Sequence, residues 1–218
     1  MTELDKFNLW YEANHKDKTI NSSLQNHEKW FLSEMSSFYS ISGSITATWE
    51  NQSFFDKFEV RELAYPLIRR LLETYFRVLY IFDNQATLEQ RMNDYIEYIK
   101  DSYNKCYNDI QSIDQYLTNA NISHQSHISQ LPRISNGFSN KFFSNVKSML
   151  EQVKNAGNNF GDFYLWYRIT SFYTHGNINF ELWNIISPSN NNFPIVRVYD
   201  LFELMAKDYN RIINKYNL

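Results

Sequence analysis

A chain of 218 residues with 43% hydrophobic positions is long enough to bury one sizeable core. Five glycines and four prolines are too few to punctuate many short strands, which excludes collagenous, linker-rich and many-turned β architectures. A formal charge of -3, from 21 basic and 24 acidic residues, offers no global attraction to nucleic acid or anionic lipid, so any polyanion has to be held by a local patch.

The N-terminus, Met-Thr-Glu-Leu-Asp-Lys, carries acids and no apolar run, which argues against a secretory signal, and residues 4–13 have a weak helical pattern. In residues 22–48, Trp30, Phe31, Met35, Phe38 and Tyr39 recur at helical spacing, with Ser42, Gly43 and Ser44 weakening the second half. Residues 54–82 carry the strongest helical signal, with Leu63, Leu67, Leu71, Leu72, Tyr75, Phe76, Leu79 and Tyr80 in register; Pro66 is expected either to start the main part or to kink it. The apolar run Val78 to Phe82 at its end is far short of the ~20 residues that span a bilayer.

Residues 88–117 place Met92, Tyr95, Ile96, Ile99, Tyr103, Tyr107 and Ile110 at helical spacing among charges. Cys106, the single cysteine, cannot form an internal disulfide and fits a reducing compartment, so the expected location is the cytoplasm. The Asn-, Ser- and His-rich residues 118–136 read as a long loop, followed by helices near 138–155, 161–175 and 195–216. The expectation is all-α: a single domain over 1–218, an up-and-down bundle of six or seven helices, whose aromatic excess reflects core filling and codon bias more than a binding platform.

The sequence DFYLWYRITSFYTHGN, residues 162–177, carries the candidate chemistry. On a helix, positions seven apart return to nearly the same direction, so Arg168 and His175 share a face with Tyr164 and Ser171. Phe163, Trp166, Ile169, Thr170 and Tyr173 fall opposite and can be buried, and Gly176 is a natural terminator that puts His175 in the last turn. Imidazole can exchange a proton with a ribose 2′-hydroxyl or a leaving 5′-oxygen, and guanidinium can hold phosphate, so the pair suits RNA cleavage without a metal. The bare spacing is weakly specific, since the arginines and five histidines of this chain give roughly 0.6 such matches by chance.

A second segment, YPLIRRLLETYFRVLYIFD at residues 65–83, sets Glu73 at i,i+4 from both Arg69 and Arg77. Exposed pairs of this kind add only about 0.3–0.5 kcal/mol and can be modest helix stabilisers; a charged cluster inside an apolar helix is also the arrangement expected where it faces a polar cleft and orients other charged groups. Taken together, Arg69, Glu73, Tyr80 and Ile81 on the early helix and Tyr167, Arg168, Ser171, His175 and Gly176 on the later one resemble the HEPN superfamily of helical nucleotide-binding proteins, over about half the chain.

The resemblance implies a HEPN-like core over about 22–180 that pairs as a homodimer through the helix bearing Arg168. It implies a metal-independent endoribonuclease with no cofactor, acting as a toxin or antiviral-defence effector and regulated by an antitoxin or another defence-system protein. Arg168 would bind phosphate, His175 would act as acid and base, Ser171 and Tyr164 would position the RNA substrate, and Arg69 and Glu73 would form a supporting polar layer. Two departures stand out. Ile169 follows the arginine where many active members carry a polar residue, and Asn177 stands where some toxins have a modifiable tyrosine. The alternative reading is a catalytically silent HEPN-like module that binds a nucleotide, RNA or protein. His124 and His127 lack a second set of ligands at metal spacing, and Lys141, Lys147 and Lys154 spread too widely around their helix for a focused RNA patch.

Overall fold

The computed structural model describes residues 1–15, 23–119, 134, 145–153, 160–174 and 195–218. Of these, 86% are helical, 3-10 turns included, with seven α-helices and no strands. They are α1 (Glu3–Asn14), α2 (Asn26–Thr48), α3 (Phe58–Phe82), α4 (Leu88–Asn119), α5 (Val146–Leu150), α6 (Phe160–Thr174) and α7 (Val198–Tyr216). Short 3-10 turns at Gln52–Asp56 and Gln85–Thr87 lead into α3 and α4. The chain divides into two compact units, one of residues 1–84 and 145–218, the other of residues 85–144. The architecture is the expected all-α bundle. Among the described residues no helix is long and apolar enough to cross a membrane.

Helix boundaries follow local chemistry. Thr2 caps α1 in a reciprocal box: its hydroxyl accepts from Asp5 N–H at 3.0 Å while the Asp5 carboxylate accepts from Thr2 N–H at 2.9 Å. The Glu203 carboxylate of α7 accepts from the N–H groups of Glu3 and Leu4 at 2.9 and 3.3 Å, satisfying two more of the unpaired donors at that helix start. Asn145 caps α5 by accepting from Ser148 N–H at 2.8 Å. That helix is shorter than its predicted range, of which 138–144 and 154–155 lie outside the described residues.

The weak second half of α2 is helical after all, because Phe31, Met35, Phe38, Ser42 and Ile45 form one buried face. The Ser42 hydroxyl donates to the Phe38 carbonyl within the helix at 2.6 Å and so needs no partner elsewhere in the core. Gly43 is exposed at mid-helix, and a Cβ there would meet nothing within 4 Å. Gly43→Ala should therefore stabilise the fold by about 0.5–1 kcal/mol, read as a rise in the urea midpoint at unchanged m. Pro66 neither starts nor ends α3, which begins at Phe58 and runs through it. Glu62 and Leu63 are exposed at that turn, so the carbonyl bond lost to proline opens toward water rather than into the core.

The core of the first unit is largely aromatic. Phe7, Phe31, Phe38, Phe202 and Tyr209 are fully buried, with edge-to-face contacts of Phe38 to Phe7 and to Tyr209 at 5.0 Å. The buried hydroxyls of this core keep partners. Tyr75 donates to Asp208 at 2.5 Å, and Tyr65 accepts from Val196 N–H at 2.9 Å. Burial pushes both phenols up, so they stay protonated.

Candidate active site

Helix α6 lies along α3 in the opposite direction, as three contacts along the pair show. Phe163 packs on Tyr75 at 4.8 Å near the start of α6, Tyr167 meets Arg69 midway, and Tyr173 meets Arg61 at the end. Phe163, Ile169 and Thr170 are buried as the helical pattern predicts, while Trp166 and Tyr173 are half-buried. On the other side Arg168 is exposed, and Tyr164 and Ser171 are half-buried beside it. Among the described residues Arg168 makes no ion pair or hydrogen bond. The Ser171 hydroxyl donates to the Tyr167 carbonyl at 2.6 Å, which leaves it only acceptor capacity toward a ligand. His175, Gly176 and Asn177 lie outside the described residues, as do His124, His127, Lys141 and Lys154.

The supporting layer is a joined cluster. Arg69 Nε donates to Glu73 Oε1 at 3.0 Å, Arg69 Nη2 donates to the Tyr167 hydroxyl at 3.3 Å, and the guanidinium lies 4.9 Å from the centre of the Tyr167 ring. Tyr164 stacks on Tyr167 at 6.1 Å. Burial raises the Tyr167 pKa, with nearby Arg69 opposing and Glu73 adding to the shift, so the ring presents a neutral hydroxyl at physiological pH. Tyr167 is thus the link by which the Arg69–Glu73 pair on α3 steadies the α6 turn bearing Arg168. Tyr167→Phe should cost under about 1 kcal/mol in urea unfolding, because the lost bond is long and Arg69 keeps Glu73.

Two features escaped the sequence reading. Arg61 is 6% exposed, and its Nη1 donates to the carbonyls of Phe55 and Asp56 at 2.8 and 2.9 Å while Nε donates to the Tyr173 hydroxyl at 2.7 Å. A bare Arg on an amphipathic helix carries no signal for this, since its partners are two backbone carbonyls and a tyrosine more than a hundred positions away. The second feature is apolar exposure. Leu165 and Phe172 are 53% and 41% exposed at positions three before and four after Arg168, and Leu63 and Leu67 of α3, read from spacing as part of the apolar register, are exposed as well. Leu165 and Phe172 break an otherwise polar stripe, which is the signal that could have revealed them.

Residues 28–193 match the profile of a family described as a family of unknown function, DUF5677. No curated protein and no solved structure gives a match.

Proposed function

The chain belongs to the DUF5677 family, and we propose that this member is a metal-independent endoribonuclease of HEPN type, a cytoplasmic toxin or defence effector that cleaves RNA through Arg168 and His175 at a homodimer cleft. The observation that supports this reading best is an exposed Arg168 one residue beyond Tyr167, which joins the half-buried cluster Glu73–Arg69–Tyr167. A guanidinium on a steadied helical turn is suited to holding a phosphodiester through its forked donors.

In the proposed reaction His175 takes the proton of the ribose 2′-hydroxyl as that oxygen attacks the adjacent phosphorus. The bond to the 5′-oxygen breaks, the leaving oxygen is protonated by an imidazolium, and a 2′,3′-cyclic phosphate and a 5′-hydroxyl remain. Arg168 stabilises the charge that builds on the phosphoryl oxygens. The exposed Leu165 and Phe172 flanking Arg168 suit the homodimer contact, since burying them against a second copy would draw two such arginines into one cleft.

Incubation of the purified chain with RNA in EDTA tests the proposal. Products ending in cyclic phosphate are expected, and cleavage that requires a divalent cation would overturn it. The same exposed residues favour a second reading, a silent module that binds RNA, a nucleotide or an antitoxin-like partner through this face. Ile169, buried where a polar group is common in active members of the resembled superfamily, points the same way. RNA bound but never cut, with binding lost in Arg168→Ala, is the outcome that selects it.

A further inference from the structure

A cavity of about 320 Å³ lies where the last turn of α3 meets the last two turns of α7, within the first unit. Its walls are apolar: Leu79 and Phe82 of α3, Ile212 of α7 and Val153 beyond α5 are each at most 9% exposed. Ligand pockets usually measure roughly 300–1,000 Å³, so this one suits a small molecule and not a nucleotide-sized cofactor. The walls stand without a ligand. The Tyr216 hydroxyl donates to the Phe82 carbonyl at 2.9 Å and Lys215 Nζ donates to the Asp83 carbonyl at 3.4 Å, which ties the two helix ends together and satisfies carbonyls left over where α3 stops.

Two cations stand at the rim. Arg211 and Lys215 are exposed, line the cavity and share one face of α7 at i and i+4. Arg211 is held in place, because its Nη2 donates to Asp208 Oδ1 at 3.0 Å and the other oxygen of that carboxylate accepts from the buried Tyr75 hydroxyl at 2.5 Å. Lys215 makes no ion pair among the described residues; its ammonium has the Asp83 carbonyl and the Tyr216 ring, 4.9 Å away. The helix dipole favours a cation in the last turn of α7, but it accounts neither for Arg211 one turn earlier nor for the apolar hollow beside the pair. Asp83 also lines the cavity and Asp208 offsets Arg211, so the site has no surplus of positive charge and a phosphate dianion is opposed. A carboxylate brings a single charge, which Lys215 can take.

We infer that the cavity binds a small apolar monocarboxylic acid, its carboxylate on Lys215 with Arg211 alongside and its hydrocarbon body on Leu79, Phe82, Val153 and Ile212. The body supplies most of the affinity and the charged end sets the orientation. For a ligand of about ten non-hydrogen atoms the expected dissociation constant is about 0.1–1 mM. None of these residues belongs to the Arg168 cluster, so the assignment neither needs the ribonuclease reading nor fails with it.

Calorimetric titration of the full chain with octanoate, octanamide, octyl phosphate and acetate tests it, at about pH 8 where the phosphate is a dianion. Octanoate should bind one to one, octanamide and octyl phosphate at least about threefold more weakly, and acetate not at all. Lys215→Gln should weaken octanoate about three- to tenfold, whereas Arg70→Gln, an exposed cation of α3, should leave it unchanged; helical circular dichroism is retained in both because both residues are exposed. Val153→Phe puts a larger side chain into the cavity and should abolish octanoate binding. Absence of saturable octanoate binding up to about 10 mM overturns the proposal. So does octanamide or octyl phosphate binding as tightly as octanoate, or an octanoate affinity unmoved by Lys215→Gln. Binding that survives Val153→Phe lies elsewhere and overturns it too, and if that variant fails to fold, Lys215→Gln and the ligand series decide.

Discussion

His175→Ala should lower the rate of RNA cleavage by about 10²–10⁴-fold, and Arg168→Ala by about 10²–10³-fold, the latter with unchanged thermal unfolding because Arg168 is exposed and makes no ion pair or hydrogen bond among the described residues. The double variant should lose little more than the worse single one, since an acid–base group and a phosphate clamp act on one transition state. Single-turnover assays with a short labelled RNA in EDTA supply both numbers. His175→Ala retaining full activity would remove the imidazole from the mechanism. Equal losses in kcat and in melting temperature would mean that the substitutions act on the fold. Growth arrest on expression, relieved by either substitution at equal protein level, would connect the site to a toxin role.

Arg61→Met should destabilise the first unit by about 3 kcal/mol, the largest stability effect expected of any single surface-to-core contact described above. Methionine keeps much of the aliphatic stem but leaves the carbonyls of Phe55 and Asp56 and the Tyr173 hydroxyl without their donor in a site that is nearly closed to water. The cost is read from the urea midpoint at constant m, and a loss below about 1 kcal/mol would mean that water replaces the guanidinium. Arg61→Lys should recover part of it, because an ammonium can reach a carbonyl but cannot bridge three acceptors on two elements. Since Tyr173 is the last hydrogen-bonded anchor of α6 before residue 175, RNA cleavage should fall in Arg61→Met even where the protein is still folded. That loss should be smaller than for His175→Ala.

The fold was legible wherever a segment buries one face continuously. α3 and α7 announce themselves because Leu71, Leu72, Tyr75, Phe76 and Leu79, or Leu201, Phe202, Met205 and Tyr209, recur at helical spacing and are buried. Spacing says which residues share a side of a helix and nothing about what lies against that side, so Leu63 and Leu67 were indistinguishable from core positions until the packing of α3 was known. Propensity misled at Gly43, where burial of the neighbouring face overrides the weak local preference. At the candidate site the side-chain spacing identified Arg168, Arg69 and Glu73. The role of Tyr167 was not visible, because it depends on two helices that lie about a hundred positions apart in the chain meeting side by side.

The hold of Glu203 on the first turn of α1 joins residues about two hundred positions apart, and Asn210 repeats it by donating to the Glu3 carbonyl at 3.0 Å. Contacts of such sequence separation set the order of events during synthesis. At about 5–20 residues per second, the ribosome releases α1, α2 and α3 well before α7 exists, and the faces of Phe7, Phe31 and Phe38 that Phe202 and Tyr209 complete stay open for that interval. The first unit therefore closes last, when its final helix leaves the exit tunnel, and a nascent chain stopped short of residue 198 has no finished core on which to display Arg168.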